Sequence, residues 1–316
     1  MTNIERPMQS MRHAFGEALA AYGGQNHDVV VVTADVSNST QTAMFGKRFP
    51  DRFFNVGVAE AGAVDVAVGL ALAGKIAFVD TFAFLIALRA AEQVRTCVAY
   101  SKTNVKLAAG YAGLSDSFDG PTHHSINDLA VMRSLPNMTV VVAADSVEAR
   151  QLVPRVAEWD GPVYFRLSRA VVPTIFGEDH RPEIGKGIVL RKGSDVTLIG
   201  TGIMVARCLD AAAVLESRGI TTRVIEMHTL KPLDAKLIQQ AAAETGALVT
   251  AEEHSIMGGL GGAVAEVITA GRPVPLERVG IDDRFAETGP YEALLDRYGM
   301  GVNQIIAAAL RAMARR

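Results

Sequence analysis

Arg52-Phe53-Phe54-Asn55-Val56-Gly57-Val58-Ala59-Glu60-Ala61-Gly62-Ala63-Val64-Asp65-Val66-Ala67-Val68-Gly69-Leu70-Ala71 runs from a short extended stretch, Phe53 to Val58, into an almost uncharged helix that starts at Glu60. A strand feeding an alanine-rich helix is the building unit of an α/β fold. Upstream, Met11 to Tyr22 has helical period and Val29 to Thr33 is a β-branched run. Downstream the alternation continues through strand candidates Ile76 to Asp80, Val105 to Ala109, Thr139 to Ala143 and Val163 to Arg166. Helices are expected near Glu60 to Ala73, Phe84 to Tyr100 and Ser146 to Glu158, the last with Ser146 as N-cap.

From Val171 to Lys192 the periodicity fails, and Pro173, Gly177, Pro182, Gly185 and Gly187 accumulate among charges. Such a stretch reads as a linker. A second series follows, with strands Val196 to Gly200, Thr222 to Glu226, Ala247 to Ala251 and Leu276 to Val279 and helices near Ile203 to Arg218, Asp234 to Glu244 and Leu260 to Ala270. A helix from Val302 to Arg315 closes it. The expected architecture is α/β, with two domains of mainly parallel sheets flanked by helices. Its parts are a first domain over 1–172, a linker over 173–192 and a second domain over 193–316.

The chain's 316 residues suit two domains of roughly 130 to 180 residues each. Hydrophobic residues make up 49%, charged residues 21%, and the formal net charge is -3, which excludes a disordered chain and argues against nucleic acid as a partner. No apolar run reaches the roughly 18 to 20 residues of a membrane span. Met1 to Arg12 is polar and mixed in charge, so a cytoplasmic location without membrane contact is expected. The two cysteines, Cys97 and Cys208, lie far apart in helical patterns and read as small hydrophobes.

Two segments carry chemistry. Glu60 places a carboxylate at a helix N-terminus beside apolar walls, a position that suits either a catalytic acid or one that merely complements the helix dipole. Asp119-Gly120-Pro121-Thr122-His123-His124 is a constrained turn from which two histidines are expected to project, with Thr122 bonding the local backbone. Adjacent histidines rarely face one ion and no ligand lies at helical spacing nearby, so no metal is expected on this chain.

In combination these segments resemble the C-terminal half of transketolase, in particular the separate C-terminal subunit of a split transketolase. The resemblance runs through Thr33-Ala34-Asp35, Arg52 to Glu60, Asp80-Thr81-Phe82, Glu92-Gln93-Val94-Arg95, Gly113-Leu114, Asp119 to His124, Leu135-Pro136-Asn137-Met138 and Leu167-Ser168-Arg169. It continues through Glu252-Glu253-His254 and Gly258-Gly259-Leu260-Gly261-Gly262, and so covers nearly the whole chain.

The resemblance implies a pyrimidine-binding domain followed by a chiefly structural, dimer-forming C-terminal domain. It implies thiamine diphosphate as cofactor, with Glu60 hydrogen-bonded to N1′ of the aminopyrimidine and so activating the thiazolium C2. Phe82 would pack on the pyrimidine, and Leu85 stands where a second aromatic is usual. Asp119 and His123 would contact sugar hydroxyls and the reacting oxygens, and Arg169 the phosphate of a sugar phosphate substrate. Ser39 matches a phosphate-binding serine, with Ser37 close behind. Arg89 matches an arginine that binds substrate phosphate in related deoxyxylulose-phosphate synthases, although a solvated helical arginine suits the position better. Tyr111 replaces a usual substrate-site histidine, Phe118 a usual acid, and Ala61 a usual His or Gln, which leaves the substrate in question.

No Gly-Asp-Gly occurs in the chain, although the family's diphosphate site uses one to hold Mg²⁺. The resemblance therefore implies a separate N-terminal transketolase subunit that supplies the Mg²⁺ ligands, in an α2β2 heterotetramer catalysing two-carbon ketol transfer. The alternatives are the β subunit of a 2-oxoacid dehydrogenase E1 component and a noncatalytic relative that binds a partner.

Overall fold

The computed structural model describes residues 6–316, so residues 1–5 of the polar opening segment lie outside the described residues. The first domain is built on a seven-stranded sheet in the order Thr229–Lys231, Thr139–Val142, Val163–Arg166, Val105–Gly110, Ile76–Phe82, Val29–Thr33, Phe53–Asn55. Its last six strands are parallel to their neighbours. Val29–Thr33 is buried at every position, as a β-branched run must be when helices cover both faces of a parallel sheet. One covering layer packs Met11–Gln25 on Ser146–Glu158; Glu60–Leu72 packs against Ile76–Phe82.

The second sheet runs Leu276–Ile281, Leu248–Ser255, Val196–Gly200, Thr222–Glu226, Ile188–Arg191, with only the last pair antiparallel. The two domains share packing. A continuous buried cluster extends from Phe15, Phe165, Leu167 and Val172 to Ile203, Met204 and Leu294. Thr229–Lys231, which follows a strand of the second sheet, crosses back to pair antiparallel with Thr139–Val142 and forms the rim of the first sheet.

Three local expectations are corrected. Asp145, not Ser146, caps Ser146–Glu158: its carboxylate accepts from Glu148 N at 2.8 Å, and from Ile175 N and Phe176 N at 2.6 and 2.9 Å. Ionised Asp is the stronger acceptor for orphan N–H groups, so it takes the capping position one residue earlier. The helix expected from Phe84 to Tyr100 is two wide π-helical pieces, Leu85–Arg89 and Gln93–Tyr100, which hydrophobic period does not distinguish from an α-helix. The stretch expected as linker contains Val171–Pro173, antiparallel to Met8–Ser10, and Ile188–Arg191. Both sit at sheet edges, where proline and glycine are tolerated and mask the strand pattern.

A buried polar cluster lies where the domains meet. Glu148 of the first domain accepts from His180 Nε2 at 3.0 Å, while His228 Nδ1 lies 2.8 Å from Glu226 Oε2 and 3.7 Å from Glu148 Oε1. Their burial requires these charges to neutralise one another. Cys208 is buried and its thiol is pushed up to about 12 by that burial, whereas Cys97 is half-buried.

Candidate active site at the carboxyl ends of the first sheet

Each candidate residue on the first domain follows the carboxyl end of a parallel strand. Phe82 ends Ile76–Phe82, Tyr111 follows Val105–Gly110, Ser39 follows Val29–Thr33, Glu60 follows Phe53–Asn55 and Arg169 follows Val163–Arg166. That edge is where open α/β sheets form ligand crevices.

Glu60 opens its helix with its side chain only 3% exposed, and no side chain caps the helix ahead of it. Gly57, at φ 76°, supplies the left-handed turn that brings the chain from the strand to this N-terminus. Among the described residues the Glu60 carboxylate is bonded by Arg89 alone, whose Nη1 donates to its two oxygens at 3.3 and 3.4 Å. The Arg89 side chain is 60% exposed and its Nη1 still reaches the buried acid. Leu85, on the same π-helical piece, is buried.

The second group of residues centres on Tyr111. Its ring stacks on Phe82 with centroids 4.1 Å apart and planes 23° apart, and its hydroxyl accepts from Arg12 Nη1 at 3.1 Å. Arg169 lies over the same ring, 5.3 Å from its centre. Tyr111 sits at φ 61°, an unfavourable conformation for a bulky residue that the surrounding packing has to hold. Phe84 packs edge-on against His123 at 5.3 Å, which carries the wall on to the Asp119 loop.

Ser39 contributes through its main chain: its carbonyl accepts from Arg12 at 2.6 Å. The turn Ser37–Thr40 is held from beneath by Asp80, whose Oδ2 accepts from Thr33, Thr40 and Thr42 at 3.2, 2.7 and 2.5 Å. Burial pushes the Asp80 carboxyl up to about 6 and those three hydroxyls partly offset it.

The loop from Gly113 to Ser125 is closed by a bridge between those two residues and braced by the second domain. Glu253 Oε1 accepts from Leu114 N at 2.7 Å and from the Tyr291 hydroxyl at 2.9 Å, Gly289 N donates to Ser117 O, and Ser255 N to Ile126 O. Gly113 must be glycine here: its φ is 63° and an added Cβ would lie 2.2 Å from the Glu253 carboxyl carbon.

The expectation for the two histidines is half corrected. His123 is half-buried at the wall, with Nδ1 3.0 Å from Thr122 Oγ1, so Thr122 bonds this ring instead of the backbone. His124 turns inward, 6% exposed, with both ring nitrogens unpartnered among the described residues and its pKa lowered by burial. Asp119 and Phe118 are exposed.

Two residues at this wall escaped the sequence reading. Arg12 lies in a polar opening segment, and only the packing of Met11–Gln25 brings it to Ser39 and Tyr111. Asp116, three residues before Asp119, is 1% exposed with Oδ1 3.6 Å from Arg169 Nε. Burial first, and then the charge of Asp119, push its carboxyl up to about 6. An acid inside a run of small residues was its only sequence signal.

Residues 7–174 match the family model of the transketolase pyrimidine-binding domain, and residues 185–305 that of the transketolase C-terminal domain. Among curated proteins, the 6-deoxy-6-sulfo-D-fructose transketolase subunit SqwH of Clostridium sp. (strain MSTE9) is 40% identical over 95% of this chain and 93% of its own. An apulose-4-phosphate transketolase subunit of Phocaeicola vulgatus is 37% identical over 96% and 97%. A solved structure described as a split gene transketolase, inactive β4 tetramer, superposes with a TM-score of 0.92 at 48% identity, covering 98% of this chain and all of that one.

Proposed function

The chain belongs to the transketolase family, and from that premise we propose that it is the C-terminal subunit of a thiamine diphosphate-dependent enzyme that moves a two-carbon ketol unit between sugar phosphates. The observation that carries this reading is Glu60, a buried carboxylate at a strand-to-helix junction whose hydrogen-bond partner is a solvent-reaching arginine.

The residues fit the ring end of the cofactor. Glu60 supplies an acid that a ring nitrogen can meet when Arg89 moves aside, Phe82 an aromatic face, and Leu85 an apolar wall. When bound, the cofactor supplies the carbon nucleophile. Glu60 then holds the proton relationship at the pyrimidine nitrogen that activates it. His123 and Asp119 act on hydroxyls of the sugar at the loop edge. Arg169 and Arg12, with the Ser39 turn and Tyr111 between them, form the anion-binding wall, where planar guanidinium forks suit a phosphate.

The remaining half of the site belongs to an N-terminal transketolase subunit. That subunit supplies the Mg²⁺ ligands and the diphosphate cradle, in an α2β2 heterotetramer of the cytoplasm. The absence of Gly-Asp-Gly from the chain supports this division, and the relatives are themselves named as subunits. No helix of the described residues is long and apolar enough to cross a membrane.

The test is reconstitution. The purified chain mixed with an N-terminal transketolase subunit, thiamine diphosphate and Mg²⁺ should transfer a ketol unit from ketose phosphates, while either chain alone should not. Full activity of this chain alone would refute the division of the site.

A further inference from the structure

We propose that Asp116 is a specificity-determining residue: it competes with a substrate phosphate for Arg169, so that sugars whose far end is neutral or singly charged are accepted alongside sugar phosphates. The inference rests on the ketol-transfer reading and on Arg169 facing the substrate.

Asp116 is buried beside Arg169 at 3.6 Å, a separation that gives an ion pair without a hydrogen bond. Neither group is saturated. Among the described residues Asp116 Oδ2 and Arg169 Nε are buried without a hydrogen-bond partner, so both retain unmet bonding capacity at this wall. The position of Arg169 is fixed by its own backbone, whose N–H donates to Ser115 Oγ at 3.0 Å, and by the Tyr111 ring beneath the guanidinium. The arginine therefore does not need Asp116 to be held in place.

The charges around the wall are two guanidiniums, Arg12 and Arg169, and two carboxylates, Asp116 and Asp119, with His123 beside them. They sum to about zero when His123 is neutral. A neutral polyol end enters such a wall without electrostatic penalty and a singly charged group with a small one. A phosphate dianion meets Asp116 within a few ångströms of the arginine it must bind, and the burial of Asp116 keeps that repulsion from being screened away. Tyr111 and Phe118, in place of the family's usual histidine and acid, alter the same wall in the same chain.

Asp116→Asn removes the charge and keeps the shape. Two measurements decide the matter, the first independent of activity. Inorganic sulfate, which stays doubly charged across the range used, is titrated calorimetrically into the full chain at pH 8 and at pH 5.5. Sulfate should bind the asparagine variant about tenfold more tightly than wild type at pH 8. Wild type should gain affinity at pH 5.5, where Asp116 takes up a proton, and the variant, which lacks that proton site, should gain less.

The second measurement uses the two-chain enzyme: the ratio of kcat/KM for a ketose phosphate to that for its unphosphorylated ketose should rise about tenfold in Asp116→Asn. An Asp116 that merely anchors Arg169 gives the opposite sign, with weaker sulfate binding and a lower ratio, and either result overturns the proposal. Asp116→Ser replaces Asp116→Asn if the latter loses the wild-type circular dichroism. If the wild-type pair transfers no ketol unit from any sugar, the proposed function fails, and the sulfate titration still decides the role of Asp116.

Discussion

Glu60 and Arg169 illustrate what one residue can be asked to do at this site. Glu60→Gln keeps the size and hydrogen-bonding ends of the side chain but cannot hold the proton relationship a ring nitrogen requires. Steady-state kinetics of the reconstituted enzyme should show kcat lowered by about 10²–10⁴-fold, with thermal stability close to wild type. A kcat near wild type removes Glu60 from the mechanism. Arg169→Ala leaves Asp116 buried without its counter-ion. The KM for phosphorylated substrates should rise by about tenfold or more, well beyond the change for unphosphorylated ones; equal changes refute a phosphate role. At this scale the sequence announced the residues set in glycine- and proline-rich turns or at helix starts, such as Glu60 and the Asp119 loop. It concealed Arg12 and Asp116, because their significance comes from strand ends that meet only in the folded sheet.

Elements show a similar divide. The central parallel strands were legible because burial on both faces demands mainly apolar sequence, as in the β-branched run Val29–Thr33. The edge strands Val171–Pro173 and Ile188–Arg191 were not, since an edge needs no such pattern and accepts proline. The wide turns of Leu85–Arg89 and Gln93–Tyr100 leave no signature in hydrophobic period, yet they set the place of Arg89. Asp145 joins two elements, capping Ser146–Glu158 while accepting from Ile175 N and Phe176 N. Asp145→Ala orphans three donors at once, one buried and two half-buried, and should cost about 3 kcal/mol in urea unfolding, against about 1 kcal/mol for a simple exposed cap. A loss of the smaller size would mean that water replaces the carboxylate.

For the whole molecule, the domain junction should govern the response to alkali. Burial alone would lower the His228 pKa, but the charge and hydrogen bond of Glu226 outweigh it and hold the imidazolium to about 9. A histidine raised in this way contributes stability that is complete below its unfolded pKa and is lost as pH rises through the folded one. Glu148 acts in the same direction: burial and the charge of Glu226 push it up to about 7, so ionising it between its ordinary range and that value weakens the fold. Tm should therefore fall steadily from about pH 6 to pH 9.5, and His228→Gln should flatten the upper part of that decline. Parallel curves for the two proteins would show that the junction is indifferent to its protons.

The rim strand Thr229–Lys231 bears on how such a chain can be rearranged. The strands Ile188–Arg191, Val196–Gly200 and Thr222–Glu226 precede it and belong to the second sheet, while the rim itself completes the first. No single cut thus yields two closed bodies: a break in residues 175–184, between the two family matches, leaves Thr139–Val142 as a bare, aggregation-prone border. A break after Lys231 instead tears the second sheet in half. Genetic exchange between relatives is therefore expected to carry both domains together as one inheritable block.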